Sequence, residues 1–238
     1  MKKLNLSRLI LLMLFLSQAG LSAFAQDEGG KFDLGADIVS RYIWRGTDFG
    51  NSPAMQPWAS YANSGFTVGA WGSYSTNSNG MQEADLFVSY DIKEAITLTV
   101  TDYFFPNGSS AGNKYFEYGE DATGHVLEGT VAFNGVDAFP ISVMACYNFY
   151  GADKDNSFYF ELGYGNTVKD VDYNIFLGGG TGAYYLYGEN KDDFGIVNLG
   201  ITLSKEIQIT DKFSLPVNGS LITNPTAESI FIVFGISL

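Results

Sequence analysis

The chain is poor in cysteine, in basic residues and in long apolar runs, and each shortage removes a class of structure. One cysteine, Cys146, in 238 residues excludes an intramolecular disulfide framework. After residue 25 no stretch supplies the roughly 20 apolar residues of a spanning helix, so any crossing of a bilayer is made by strands. No segment there carries a 3.6-residue amphipathic repeat either. Basic residues number 13 against 26 acids, a balance that argues against nucleic acid as a partner. Histidine occurs once, at His125, and no charge block or low-complexity linker divides the chain.

The first 25 residues read as an export signal. Lys2, Lys3 and Arg8 precede the apolar run from Leu9 to Leu16, and Ala23-Phe24-Ala25 makes a small-x-small cleavage site. Without the leader's three basic residues, ten Lys and Arg face 26 acids, a net charge of about −16. Residues 26–238 then read as one β domain.

What the chain does have is glycine (28), phenylalanine (19) and tyrosine (15), a composition that suits short strands joined by tight turns. The run Phe32 to Arg45, FDLGADIVSRYIWR, sorts by a period of two. Phe32, Leu34, Ala36, Ile38, Ser40, Tyr42 and Trp44 fall on one face; Asp33, Asp37, Arg41 and Arg45 fall on the other. Apolar alternation recurs from Met55, Phe66, Ala84, Ile96, Leu127, Ile141, Phe158, Val171, Val197, Phe213 and Ile230. That predicts an all-β fold: a single antiparallel up-and-down transmembrane β-barrel of about 12 strands, an even number, with short turns at one end and longer loops at the other. A soluble sandwich, its apolar faces meeting in a dry centre, is the rival.

On the barrel reading the lumen receives Asp33, Asp37, Arg41, Arg45, Gln56, Glu83, Asp85, Thr97, Thr99, Thr101, Glu128, Thr130, Glu161, Asp172 and Asn174. Acids outnumber bases, so the expected passengers are cations or neutral small solutes. Arg41 and Arg45 are expected to pair with acids on neighbouring strands. Twelve strands give an intermediate width, narrowed by Trp58, Trp71, Phe87 and Phe176, and the loop from Pro106 to Gly124 is expected to fold in as a constriction. Tyr42, Trp44, Tyr61, Tyr74, Tyr90, Phe104 and Tyr164 are expected at the two lipid interfaces, where amphipathic rings settle. The expected partners are outer-membrane lipid, small solutes or ions, and the barrel-assembly machinery. The last of these follows from a resemblance: ESIFIVFGISL is similar to the C-terminal strand of outer-membrane barrels, with Leu238 in place of the usual terminal aromatic.

A second resemblance covers residues 33–90. DIVSRYIWRG (37–46), Pro53-Ala54-Met55-Gln56-Pro57 and GFTVGAWGS (65–73) resemble the opening of the TorF-type porin family. The resemblance implies an outer-membrane barrel with a channel role and carries no catalytic residue.

Other chemistry is weakly signalled. His125 follows Glu117, Glu120 and Asp121, and a rim hydrolase would need a nucleophile or water beside that base; a solvated loop histidine is the default, and no enzyme is expected. Gly178 to Ala183 fits a G-x-G-x-x-A string, but no helix follows to hold a phosphate. Asp153, Asp155 and Ser157 open like a calcium loop, yet Phe158 and Tyr164 stand where a glycine and a bidentate acid belong. Cys146 reads as a small filler, and neither metal nor cofactor is expected. The alternative to a channel is a closed barrel that binds partners through the loops Pro106 to Gly124 and Gly178 to Asp193.

Overall fold

The computed structural model describes residues 30–78, 80–93, 95–106, 113–119, 122–136, 139–186 and 192–238, so the expected leader, Glu120 and Asp121 lie outside the described residues. Fourteen strands follow in order: β1 (Lys31–Val39), β2 (Ile43–Trp44), β3 (Thr47–Asp48), β4 (Ala54–Asn63), β5 (Phe66–Ser75), β6 (Gln82–Ile92), β7 (Ile96–Phe104), β8 (His125–Phe133), β9 (Ile141–Gly151), β10 (Phe158–Val168), β11 (Val171–Thr181), β12 (Gly195–Thr210), β13 (Phe213–Asn224) and β14 (Ser229–Ser237). Twelve of them, β1 and β4 to β14, close into one antiparallel barrel in which each strand pairs with its sequence neighbour and β14 returns to β1. The small strands β2 and β3 pair only with each other.

Turn chemistry sets the meander. Asn63 pairs with Phe66 across Ser64-Gly65, both at positive φ (52° and 86°), the mirror-image turn whose twist matches that of antiparallel strands. Val168 pairs with Val171 across an equally short connection. Longer connections gather at the other end of the barrel, as the sequence predicts.

The apolar faces point outward. Leu34 is 72 % exposed, Val68 55 % and Ile232 66 %, while Glu83 and Glu128 are 3 % and 1 % exposed. The main sheet closes on itself as one barrel, so the sandwich alternative fails. The chain itself leaves this apolar surface uncovered.

Three local expectations need correction. The predicted strand Phe32 to Arg45 stops at Val39, and residues 40–53 turn into the barrel instead of continuing up the wall. The described residues of the loop after β7 do not form the expected constriction: Tyr115 and Tyr118 pack against His125 on the outward side of β7 and β8. Val197, expected on the outward face, is fully buried inside, because a register shift between Gly178 and Gly179 in the β11–β12 ladder reverses its direction.

Candidate functional site

The inward segment 40–53 is the centre of the lumen. It is a minimal hairpin: Ile43 pairs with Asp48 and Trp44 with Thr47, around the two-residue tip Arg45-Gly46 with φ values of 48° and 77°. Glycine is obligatory at the tip for a second reason. A Cβ on Gly46 would lie 1.8 Å from the Val197 carbonyl oxygen on β12, so the backbone itself presses against the wall. Asn224 Nδ2 on β13 donates to the Gly46 carbonyl at 3.3 Å. The base of the segment is fixed by Asp48, whose Oδ1 accepts the Gly50 and Asn51 amides at 3.1 and 2.8 Å.

At the tip, Arg45 makes a bidentate pair with Glu128 on β8, Nη1 to Oε2 at 2.6 Å and Nη2 to Oε1 at 3.0 Å. Both side chains are almost wholly buried. Arg45 Nη1 also donates to the Tyr185 hydroxyl and Nη2 to Cys146 Sγ at 3.0 Å. Its guanidinium lies 4.3 Å from the Trp44 ring centre and 4.5 Å from that of Tyr159. Tyr103 and Thr130 hydroxyls donate to Glu128 Oε1 at 3.1 and 2.9 Å. A charge pair this deep is tolerable only because its hydrogen-bonding capacity is so nearly filled. Behind it, Cys146, Tyr159, Tyr185, Leu186 and Val197 pack into one buried cluster that Trp44, Met144 and Tyr184 join. The β11–β12 connection thus contributes Tyr184, Tyr185 and Leu186 to the same filling, and Cys146 is both filler and arginine neighbour.

The hairpin's second anchor is Tyr42, hydrogen-bonded to Glu83 on β6; burial first, then the carboxylates of Glu83 and Asp85, push its hydroxyl well above the ordinary tyrosine value. It therefore stays a neutral donor. Asp85 Oδ1 accepts the Phe104 amide at 3.3 Å, and Arg41 Nη1 bonds Asp48 Oδ2 at 2.9 Å. On β10 and β12, Tyr159 donates to Glu161, and Asn198 Nδ2 reaches Glu161 Oε2 at 2.8 Å.

Below the hairpin the lumen holds a cavity of about 340 Å³, lined among others by Asp37, Gln56, Trp71, Asp85, Phe87 and Asn174. Arg41 and Arg45 also border it, but their charge is spent on Asp48 and Glu128. The other acids that line the chamber are Asp37, Asp85 and Glu161. The expected inward set is thus brought together at Asp37, Arg41, Arg45, Gln56, Glu83, Asp85, Glu128 and Glu161. Asp33 pairs with Ser60 and Asp172 with Ser204, nearer the short-turn end and away from the cavity. The arginines do not pair along neighbouring strands as expected: Arg45 reaches across the lumen, and Arg41 bonds within its own segment.

Of the expected interface aromatics, Tyr61, Tyr74, Tyr90 and Tyr164 stand on the outward face. Tyr42 and Trp44 do not: the inward turn carries both into the lumen. Phe104 is 4 % exposed, covered by Tyr115 and stacked on His125 with ring centres 5.2 and 4.7 Å apart. His125 is itself fully buried, its Nδ1 2.7 Å from Asp102 Oδ1 and its Nε2 2.6 Å from the Tyr115 carbonyl, while Tyr118 donates to Asp102 Oδ2 at 2.9 Å. Both ring nitrogens are engaged in holding the loop down. Sequence reasoning missed Tyr103, Tyr159, Tyr184 and Tyr185 as lumen residues. Alternation along β7 and β10 could have found the first two; nothing local marks the others.

Residues 25–218 match a family described as "Bacterial protein of unknown function (Gcw_chp)". No curated protein matches the chain.

Proposed function

The chain belongs to the Gcw_chp family of bacterial proteins, whose function is unknown, and we propose that it is an outer-membrane β-barrel serving as a narrow conduit for small cations and neutral hydrophilic solutes. The observation that carries this reading is the inversion of the barrel: an apolar exterior around a polar, acid-lined lumen. Hydrocarbon is the solvent that such an exterior suits, and only a closed barrel or helices satisfy the backbone there. The channel role implied by the porin resemblance of residues 33–90 agrees with it.

The hairpin 40–53 is the gate. Its tip fills the long-loop half of the lumen, so passage requires the tip to move, and the Arg45–Glu128 pair holds it shut. The lining acids left after that pairing favour cations over anions. Catalysis at the rim has little support, since the single histidine has both nitrogens occupied and no water-accessible face.

Refolded protein in a planar bilayer tests the proposal. Small, brief, cation-selective openings support it; a membrane that stays sealed at every voltage refutes conduction and leaves the closed, partner-binding barrel.

A further inference from the structure

The junction between β1 and β14 differs from every other in the barrel. Three residue pairs stand in register there, Asp37 with Ser237, Ile38 with Ile236 and Val39 with Gly235, and Ala36 and Leu238 exchange amide–carbonyl bonds at 3.1 and 2.9 Å, whereas the sparsest other junctions hold seven register pairs. The cause is that β1 leaves the wall after Val39 to become the hairpin. Ser40 keeps a last grip, its amide donating to the Phe234 carbonyl at 2.7 Å and its Oγ accepting the Phe234 amide at 2.9 Å. Beyond it, the Ser229–Val233 half of β14 is laddered to β13 and has no strand on its other side among the described residues.

The inner surface at this seam also departs from the rest of the lumen. Val39, Ile43, Ile222 and Val233 border the cavity together, an apolar strip where alternation puts hydroxyls and amides elsewhere. Asp37, two residues from Val39 on the same face, borders the cavity too. The outward face opposite is apolar and strongly exposed, with Ile230, Ile232 and Phe234 all near two-thirds exposed. A poorly zipped junction thus lies between bilayer-type surface outside and an apolar strip inside that ends at a carboxylate.

We propose that the β1–β14 seam is a lateral opening through which a single-chain amphiphile with a cationic head passes between the bilayer and the lumen. The tail follows Val39, Ile222 and Val233, and the head meets Asp37. Because β1 runs straight into the hairpin, lifting the hairpin frees Ser40 and lengthens the opening. The proposal rests on the barrel standing in a bilayer, and does not require ions to pass along its axis.

All three tryptophans make the test direct. Trp44 is in the hairpin, and Trp58 pairs with Trp71 on the inward face of β4 and β5, so none faces lipid. The probe is 12-bromododecylamine, whose bromine quenches tryptophan at contact, added to proteoliposomes and compared with vesicles of bromine-labelled phospholipid, too bulky to enter. The lock is Ile38→Cys with Ile236→Cys, directly opposed residues at a spacing a disulfide accepts; Val39→Cys with Gly235→Cys is a second, independent lock. The amine should quench wild type at least twofold more than the labelled lipid does. Oxidation of either lock should remove that excess, and a membrane-permeant reductant should restore it. Quenching that ignores both locks, or no excess in wild type, overturns the proposal. Conductance recorded on the same samples reports separately: a seam that responds to the locks in a barrel silent to ions refutes the conduit and keeps the seam.

Discussion

Replacing Gly46 with alanine is the sharpest perturbation the structure offers. The new Cβ would stand 1.8 Å from the Val197 carbonyl oxygen, and real Cβ atoms essentially never come within 3.0 Å, so the tip must rise by about 1.2 Å. The obstacle is backbone in the barrel wall, which cannot swing aside as a side chain would. Arg45 is the adjacent residue, and its bonds to Glu128 at 2.6 and 3.0 Å would stretch beyond the normal N–H···O range. Breaking a buried pair costs about 3–5 kcal/mol, and the left-handed backbone adds roughly 1–2 kcal/mol for a residue with a Cβ. Taking about 3 kcal/mol as a floor, at about 1.4 kcal/mol per decade the ratio of shut to open states falls by roughly a hundredfold. Single-channel recording should show that as a rise in open probability at unchanged ion preference. Gly219→Ala is the control, because its Cβ would meet the Phe234 ring at 3.6 Å, an ordinary contact. If Gly46→Ala and Gly219→Ala behave alike, the hairpin does not gate the lumen.

Other consequences follow from the same contacts. Arg45→Met alone leaves Glu128 buried and unpaired and should destabilise by about 3–5 kcal/mol, whereas Arg45→Met with Glu128→Leu should recover most of it; urea unfolding read by heat-modifiable gel migration separates the two, and equal losses would show that the pair is not a unit. His125→Ala removes one of two partners of Asp102 and the anchor of Tyr115, so limited proteolysis should cut the β7–β8 loop at least tenfold faster while the barrel stays folded. Unchanged cutting would mean that the stacked tyrosines alone hold the loop. Asp85→Asn should move the reversal potential under a salt gradient toward zero, since it removes one of the acids not spent on an arginine; no movement would place selectivity elsewhere.

How far the sequence foretold the molecule depends on the range of the interactions involved. Strand phase was legible because period-two alternation is local, and it ran true from Phe66 to Tyr74 and from Ile230 to Ile236. Glu83, Asp85, Glu128 and Glu161 were placed inward by the same rule. The hairpin was not foreseen, although its mark is there. Arg45-Gly46 is a two-residue tip of the kind that turns antiparallel strands, yet Tyr42 and Trp44 continued the greasy face of Phe32 to Ile38 so well that the run looked unbroken. What overrides the alternation is tertiary: Glu128 lies 83 residues from Arg45, and no window of sequence contains both. Phe104 failed differently: its outward phase was right, but Tyr115 from the loop that follows it and His125 cover it. Val197 was misplaced by a single bulge, which shifts phase without changing composition.

In the proposed conduit the wall faces hydrocarbon while a movable hairpin stands in an acid-lined passage. Reversal potential across a planar bilayer holding Gly46→Ala, under a tenfold potassium chloride gradient, measures both halves at once. A steady current with a potential displaced toward that of potassium is the predicted result. A sealed membrane, or a current that prefers chloride, would contradict it.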